Sequence, residues 1–199
     1  MSKLIALVFD EAQLADDIEY LAAGPSTEVA EPKPATALAN LKTIEAAAKE
    51  GGVKIEDAVV VFRHPEGDMR IDQTRDMTAR KGARRGAFWG LLVGLLLGGP
   101  VGGILGGLGL GAIYGRVVDH GIPDEFFKDV GQAVGRNKSA ILLLIDEKDY
   151  ERSIAYLRSF DARIYEGNVS DGAVETLEEA ADHPQVARVV EDEYGTAEK

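Results

Sequence analysis

The sequence predicts an α+β fold: a ferredoxin-like two-layer sandwich carrying an inserted helical hairpin of the glycine-zipper kind. Three observations carry this reading. Short aliphatic runs at 4–9, 58–63 and 139–145 alternate with helix-forming stretches at 35–50, 124–134 and 148–160. Between them stands a ladder of glycines every four residues: Gly82, Gly86, Gly90, Gly94 and Gly98, then Gly103, Gly107, Gly111 and Gly115. No charged residue interrupts the chain between Arg85 and Arg116. A four-residue step stacks glycines on one helix face and lets another backbone approach closely.

In chain order, residues 4–9 form an apolar run suited to a buried strand. Residues 11–23 read as a helix, and 24–34, with three prolines, as a loop. Residues 35–50 are rich in Ala, Leu, Lys and Glu, and place Leu38, Leu41 and Ile44 on one face before Gly51 and Gly52 end the helix. Residues 58–63 are β-branched and read as a central strand. Pro65 to Asp68 is turn chemistry, and 69–74 alternates as the hairpin partner. After the glycine segment, Pro123 precedes an acidic helix start with Phe126, Phe127 and Val130 on its apolar face. Residues 139–145 read as a central strand, 148–160 as an amphipathic helix and 162–165 as a short strand. Residues 171–181 read as a helix and the acidic remainder as weakly ordered. Without the glycine segment the first six elements run β-α-β-β-α-β, the split βαβ order. The divisions are therefore 1–75 and 119–182 for the two parts of the α+β domain, 76–118 for the hairpin and 183–199 for the acidic tail.

As one helix, residues 86–115 would be about 45 Å long, beyond the ~30 Å hydrocarbon core. Gly98-Gly99-Pro100 breaks it, and a single crossing would part the strands of one sheet. A hairpin keeps them together. Its arms rise about 18 and 22 Å, so it spans a thinned bilayer, dips into one leaflet, or is buried among copies of itself. Phe88, Trp89, Leu91, Leu92, Leu95 and Leu96 lie away from the glycines. Trp89 stands one turn from Arg84 and Arg85, where an interfacial aromatic belongs. Arg80, Lys81, Arg84, Arg85 and Arg116 are the candidate lipid-interface cations, and by the positive-inside rule their end is cytoplasmic.

The chain of 199 residues has a net charge of −12, which argues against nucleic acid as a partner. Its lack of cysteine excludes disulfides and thiolate chemistry. The apolar start stops at Phe9 and is no signal peptide, so the polar parts are expected in the cytoplasm. His64, His120 and His183 lie far apart with no ligand partner at helical spacing. The ladders lack the Gly-Lys-Ser/Thr ending of a phosphate loop. No catalytic, metal-binding or cofactor-binding residue is identified.

The run Gln73-Thr74-Arg75-Asp76-Met77-Thr78-Ala79, the run Arg85-Gly86-Ala87-Phe88-Trp89-Gly90 with its Gly98-Gly99-Pro100 turn, and Asp119-His120-Gly121-Ile122-Pro123 resemble the DUF1269 family. That resemblance implies a glycine-rich insertion in an α+β domain and a membrane location. It implies no activity, so no site is carried over. Residues 11–34 are extra relative to the family pattern. The leading expectation is a non-enzymatic, self-assembling protein. Its hairpins pack in or on the bilayer, its polar domain is cytoplasmic, and its partners are itself and membrane lipids. The alternatives are a soluble homo-oligomeric ring or shell with the hairpins as its core, and an α+β barrel that binds a small ligand or acts on one.

Overall fold

The computed structural model describes residues 1–10, 35–63, 69–75, 82–98, 110–119, 121–136 and 138–181. The elements are β1 (Ser2–Asp10), α1 (Ala35–Lys49), β2 (Asp57–Arg63), β3 (Met69–Arg75), α2 (Gly82–Gly98), α3 (Leu110–Asp119), α4 (Asp124–Ala133), β4 (Lys138–Asp146), α5 (Tyr150–Leu157), β5 (Arg163–Val169) and α6 (Asp171–Ala181). A 3-10 turn, Glu147–Asp149, leads into α5. The protein is α+β. The expected helix at 11–23, the loop at 24–34, the turn at Pro65 to Asp68, the Gly98-Gly99-Pro100 turn beyond Gly98 and the acidic tail lie outside the described residues.

The strands form one sheet in the order β3-β2-β4-β1-β5. Every neighbouring pair is antiparallel. β4 and β1 are central, with Leu4 opposite Leu144 on one side and Gly167 on the other. The hairpin of β2 and β3 forms as the turn chemistry predicts, with a bulge between Val60 and Val61. The first six predicted elements do not make the sheet by themselves. β3 is an edge, and the other edge is β5, expected as a stub at 162–165 but seven residues long. Gly167 and Asn168 are poor strand formers, and their pairing with Leu4 and Lys3 overrides that local preference.

The two-layer expectation is corrected, because helices cover both faces of the sheet. In β1, Ile5, Leu7 and Phe9 pack with α1 and α5, through Leu41, Ile44, Ile154 and Leu157. Leu4, Ala6 and Val8 point the other way and pack with α2, α3, α4 and α6. α1 ends where Gly51 takes a φ of +77°, the left-handed position that favours glycine, with Gly52 N–H donating to Ala47 O at 2.8 Å. α6 starts on Ser170, whose hydroxyl accepts from Ala173 N at 3.1 Å as an N-cap.

α2 lies in the second core. Phe88, Trp89, Leu91, Leu92, Val93, Leu95 and Leu96 are all buried, and so is Gly90. A helix apolar all round is a buried helix. α6 packs against both α2 and α3, and α4 packs against α2. Among the described residues, α6 is thus the helix against which both glycine-bearing helices pack.

Candidate functional site

The polar centre of the α2 docking surface is a pair that no local spacing announces. Asp57 opens β2 and is 3% exposed. It lies on the α2 side of the sheet, in alternation with Val59 and Val61. Its Oδ1 accepts from Ala58 N at 3.0 Å, and its Oδ2 accepts from the Trp89 indole N–H at 2.7 Å. Trp89 is 1% exposed and meets Phe88 edge-on, with ring centroids 5.3 Å apart. A buried carboxylate needs such donors, and a charge-assisted bond of this kind fixes the rotation and height of α2 on the sheet.

Two close approaches fix the rest of the surface. A Cβ at Gly131 of α4 would lie 2.5 Å from Leu96 O, so α4 crosses α2 backbone to side chain-free backbone. A Cβ at Gly167 would lie 3.0 Å from the Phe126 ring, which brings α4 onto β5 as well. Gly121 has a φ of +124° and sits against Ser170, turning the chain from α3 into α4.

Of the residues expected in helix packing, Gly82, Gly86, Gly90, Gly94 and Gly98 all lie in α2, and Gly111 and Gly115 in α3. Gly103 and Gly107 lie outside the described residues. Gly115 has open space where a Cβ would stand. Among the interface residues, Arg80 and Lys81 lie outside the described residues, Arg84 and Arg85 fall in the opening turns of α2, and Arg116 is exposed on α3. Trp89 departs from expectation: it is an internal residue tied to Asp57 and reaches no surface. Sequence reasoning missed Asp57 and Gly131. The one available signal for Asp57 was its place as the second of two acids, Glu56 and Asp57, just before the run Ala58-Val59-Val60-Val61.

On the opposite face, an open cleft of about 410 Å³ lies between the end of α1, residues 53–56 and the 3-10 turn. Its charges answer one another. Lys54 pairs with Asp149 at 3.3 Å and Lys148 with Asp146 at 2.5 Å. The hydrogen bond to Lys148 holds the Asp146 carboxyl below its ordinary range and raises the Lys148 ammonium. Buried Ser153 accepts from Lys54 N at 3.2 Å and donates to Lys54 O at 3.1 Å, which locks the rim. On β5, the Tyr150 phenol donates to Glu166, with Lys3 Nζ 5.3 Å from its ring centroid. Burial first, and then that hydrogen bond, push Tyr150 up to about 12, far from the range of a general base at neutral pH. Among the described residues no group of three His, Asp or Glu could hold a metal.

Residues 83–182 match the family model described as a protein of unknown function, DUF1269. The chain belongs to this family. The DUF1269 match begins inside α2 and ends one residue past α6, so it takes in both glycine helices and everything that packs on them. β1, α1, β2 and β3 lie before it. No match was found among curated proteins or among solved structures. No described helix is long and apolar enough to cross a membrane.

Proposed function

We propose that this DUF1269 protein is a non-enzymatic, self-assembling protein that associates with the anionic cytoplasmic face of a membrane from outside the bilayer. The observation that carries this is the burial of the bulky side chains of α2 on their own sheet, with Trp89 bonded to Asp57. Lipid would replace the contacts of α2 if it left. Leu4, Ala6, Val8, Val59, Val61, Ala140, Leu142 and Leu144 on the sheet would then lose the part of their cover that α2 supplies. Exposing that apolar surface costs about 25 cal/mol for each Å² bared, against a domain stability of only about 5–15 kcal/mol. The glycine helices therefore rest on the domain, and membrane contact falls to its polar surface.

The finer fold reading is ferredoxin-like for β1, β2, β4 and β5, with β3 and the glycine helices as an insertion. The support is the order β2-β4-β1-β5 with α1 and α5 on one face. The face such a fold leaves open is the one α2 covers here. The glycine-zipper reading attaches to α3. Among the described residues nothing stands within 4 Å of where a Cβ at Gly115 would lie, which supports a thin face for a second copy. The paired charges of the cleft and the high position of Tyr150 support a non-enzymatic role.

A soluble homo-oligomer is the second reading, favoured by the same burial. Membrane fractionation at low ionic strength, followed by an alkaline carbonate wash, separates the readings. The proposal expects pelleting with membranes and release by carbonate. Retention after the wash would mean insertion and overturn it. Recovery in the first supernatant would establish the second reading instead.

A further inference from the structure

Four cations gather at the end of the sheet away from the Trp89–Asp57 pair. Arg63 ends β2, Lys138 opens β4 directly opposite it, Arg163 opens β5, and Arg136 lies between α4 and β4. Alternation with Val61, Ala140 and Tyr165 puts Arg63, Lys138 and Arg163 on the α2 side of the sheet. Among the described residues, the carboxylate paired with these cations is Asp10. Asp10 accepts from Lys138 at 2.8 Å and lies 3.9 Å from Arg163, so one carboxylate serves two cations and is held below its ordinary pKa by them.

Arg63 and Arg136 have no carboxylate partner among the described residues. The Arg63 Nε is sealed from solvent without a hydrogen-bond partner. Burial, and then the field of Arg136, lower the Arg63 pKa, so the two guanidinium groups repel. Like charges on directly opposed strand residues, as at Arg63 and Lys138, are also unfavourable. In a chain of net charge −12, Arg63 and Arg136 thus stand together with no carboxylate partner among the described residues.

We propose that Arg63, Arg136 and Lys138 form an oxyanion site that takes the phosphate of an anionic lipid headgroup, so that this end of the sheet faces the membrane. The planar guanidinium offers paired N–H donors matched to phosphate oxygens. A phosphate placed there relieves the repulsion between Arg63 and Arg136 and gives Arg63 the counter-charge it lacks. The proposal rests on the peripheral-membrane reading and specifies which end of the domain makes the contact. That end is opposite the one where α2 begins with Arg84 and Arg85 and where α3 carries Arg116 toward the Gly121–Ser170 turn.

The test is co-sedimentation of the full chain with vesicles of phosphatidylcholine alone or mixed with phosphatidylglycerol. Calorimetric titration with inorganic phosphate runs beside it. The expected result is binding to the mixed vesicles alone. Arg63→Gln/Arg136→Gln should weaken it roughly 30-fold, two charges each worth about a factor of five near an anionic surface. Arg84→Gln/Arg85→Gln should bind like the parent chain. If the double variant fails to fold, Arg136→Gln alone serves, because that side chain is exposed and is in no ion pair with another described residue. It should lose about fivefold. Unchanged binding by the Arg63/Arg136 variant would overturn the site and leave the peripheral reading standing. Binding of inorganic phosphate without vesicles would overturn the lipid assignment. No binding to either probe would overturn both the site and the reading.

Discussion

Replacing Trp89 by alanine lowers the unfolding free energy by about 3–5 kcal/mol, the usual cost of emptying a buried aromatic position. The side chain is 1% exposed, and its loss also strips a donor from buried Asp57. Trp89→Phe separates the two effects. It keeps most of the ring volume and removes only the indole N–H. It should cost about 1–3 kcal/mol for an acceptor left short in the core. Asp57→Ala in the Trp89→Phe background should then add less than it does alone, because the two groups act as one unit. Urea unfolding followed by far-ultraviolet circular dichroism reads all four proteins without relying on the tryptophan signal. A loss below 1 kcal/mol for Trp89→Ala would mean that α2 is not held on this sheet.

The two kinds of glycine should respond in opposite ways. Gly131→Ala drives a Cβ against Leu96 O at 2.5 Å, a backbone atom that cannot swing aside. The forced shift costs about 1–3 kcal/mol, against about 1 kcal/mol gained in helix propensity, so the net effect is destabilising. Gly115→Leu meets open space in the single chain and should leave its melting temperature unchanged or slightly raised. The same substitution fills the thin face of α3 and should weaken self-association, measured by sedimentation velocity. A destabilised Gly115→Leu would show that the Gly115 face of α3 also packs inside its own chain. Unaltered assembly would remove α3 from the contact between copies.

Much of this architecture was legible in the chain. The elements follow from aliphatic runs and helical spacing, and the β2–β3 hairpin from its turn residues. The covering of both sheet faces was also written there. β1 from Leu4 to Phe9 and β4 from Ala140 to Ile145 are unbroken apolar runs, and a strand with one wet face would alternate. The large side chains from Phe88 to Leu96, with no charged residue among them, carried the same message, because they leave α2 no polar face. What sequence could not reach were relations between distant residues. Asp57 and Trp89 are separated by 32 positions, and no periodicity joins them. Gly131 falls outside both ladders, yet a Cβ there would meet backbone, while one at Gly115 inside a ladder would meet nothing within 4 Å among the described residues. Spacing reports which face a glycine occupies, and only the fold decides what that face meets.

Trp89 is the only tryptophan of the chain, so its fluorescence reports the position of α2 directly. The deciding measurement is its emission in protein bound to phosphatidylglycerol vesicles whose acyl chains carry bromine. With α2 on its own sheet, the emission stays blue-shifted and is not quenched as the brominated fraction rises. Quenching that grows with bromine would place the indole among the acyl chains and contradict the docked helix.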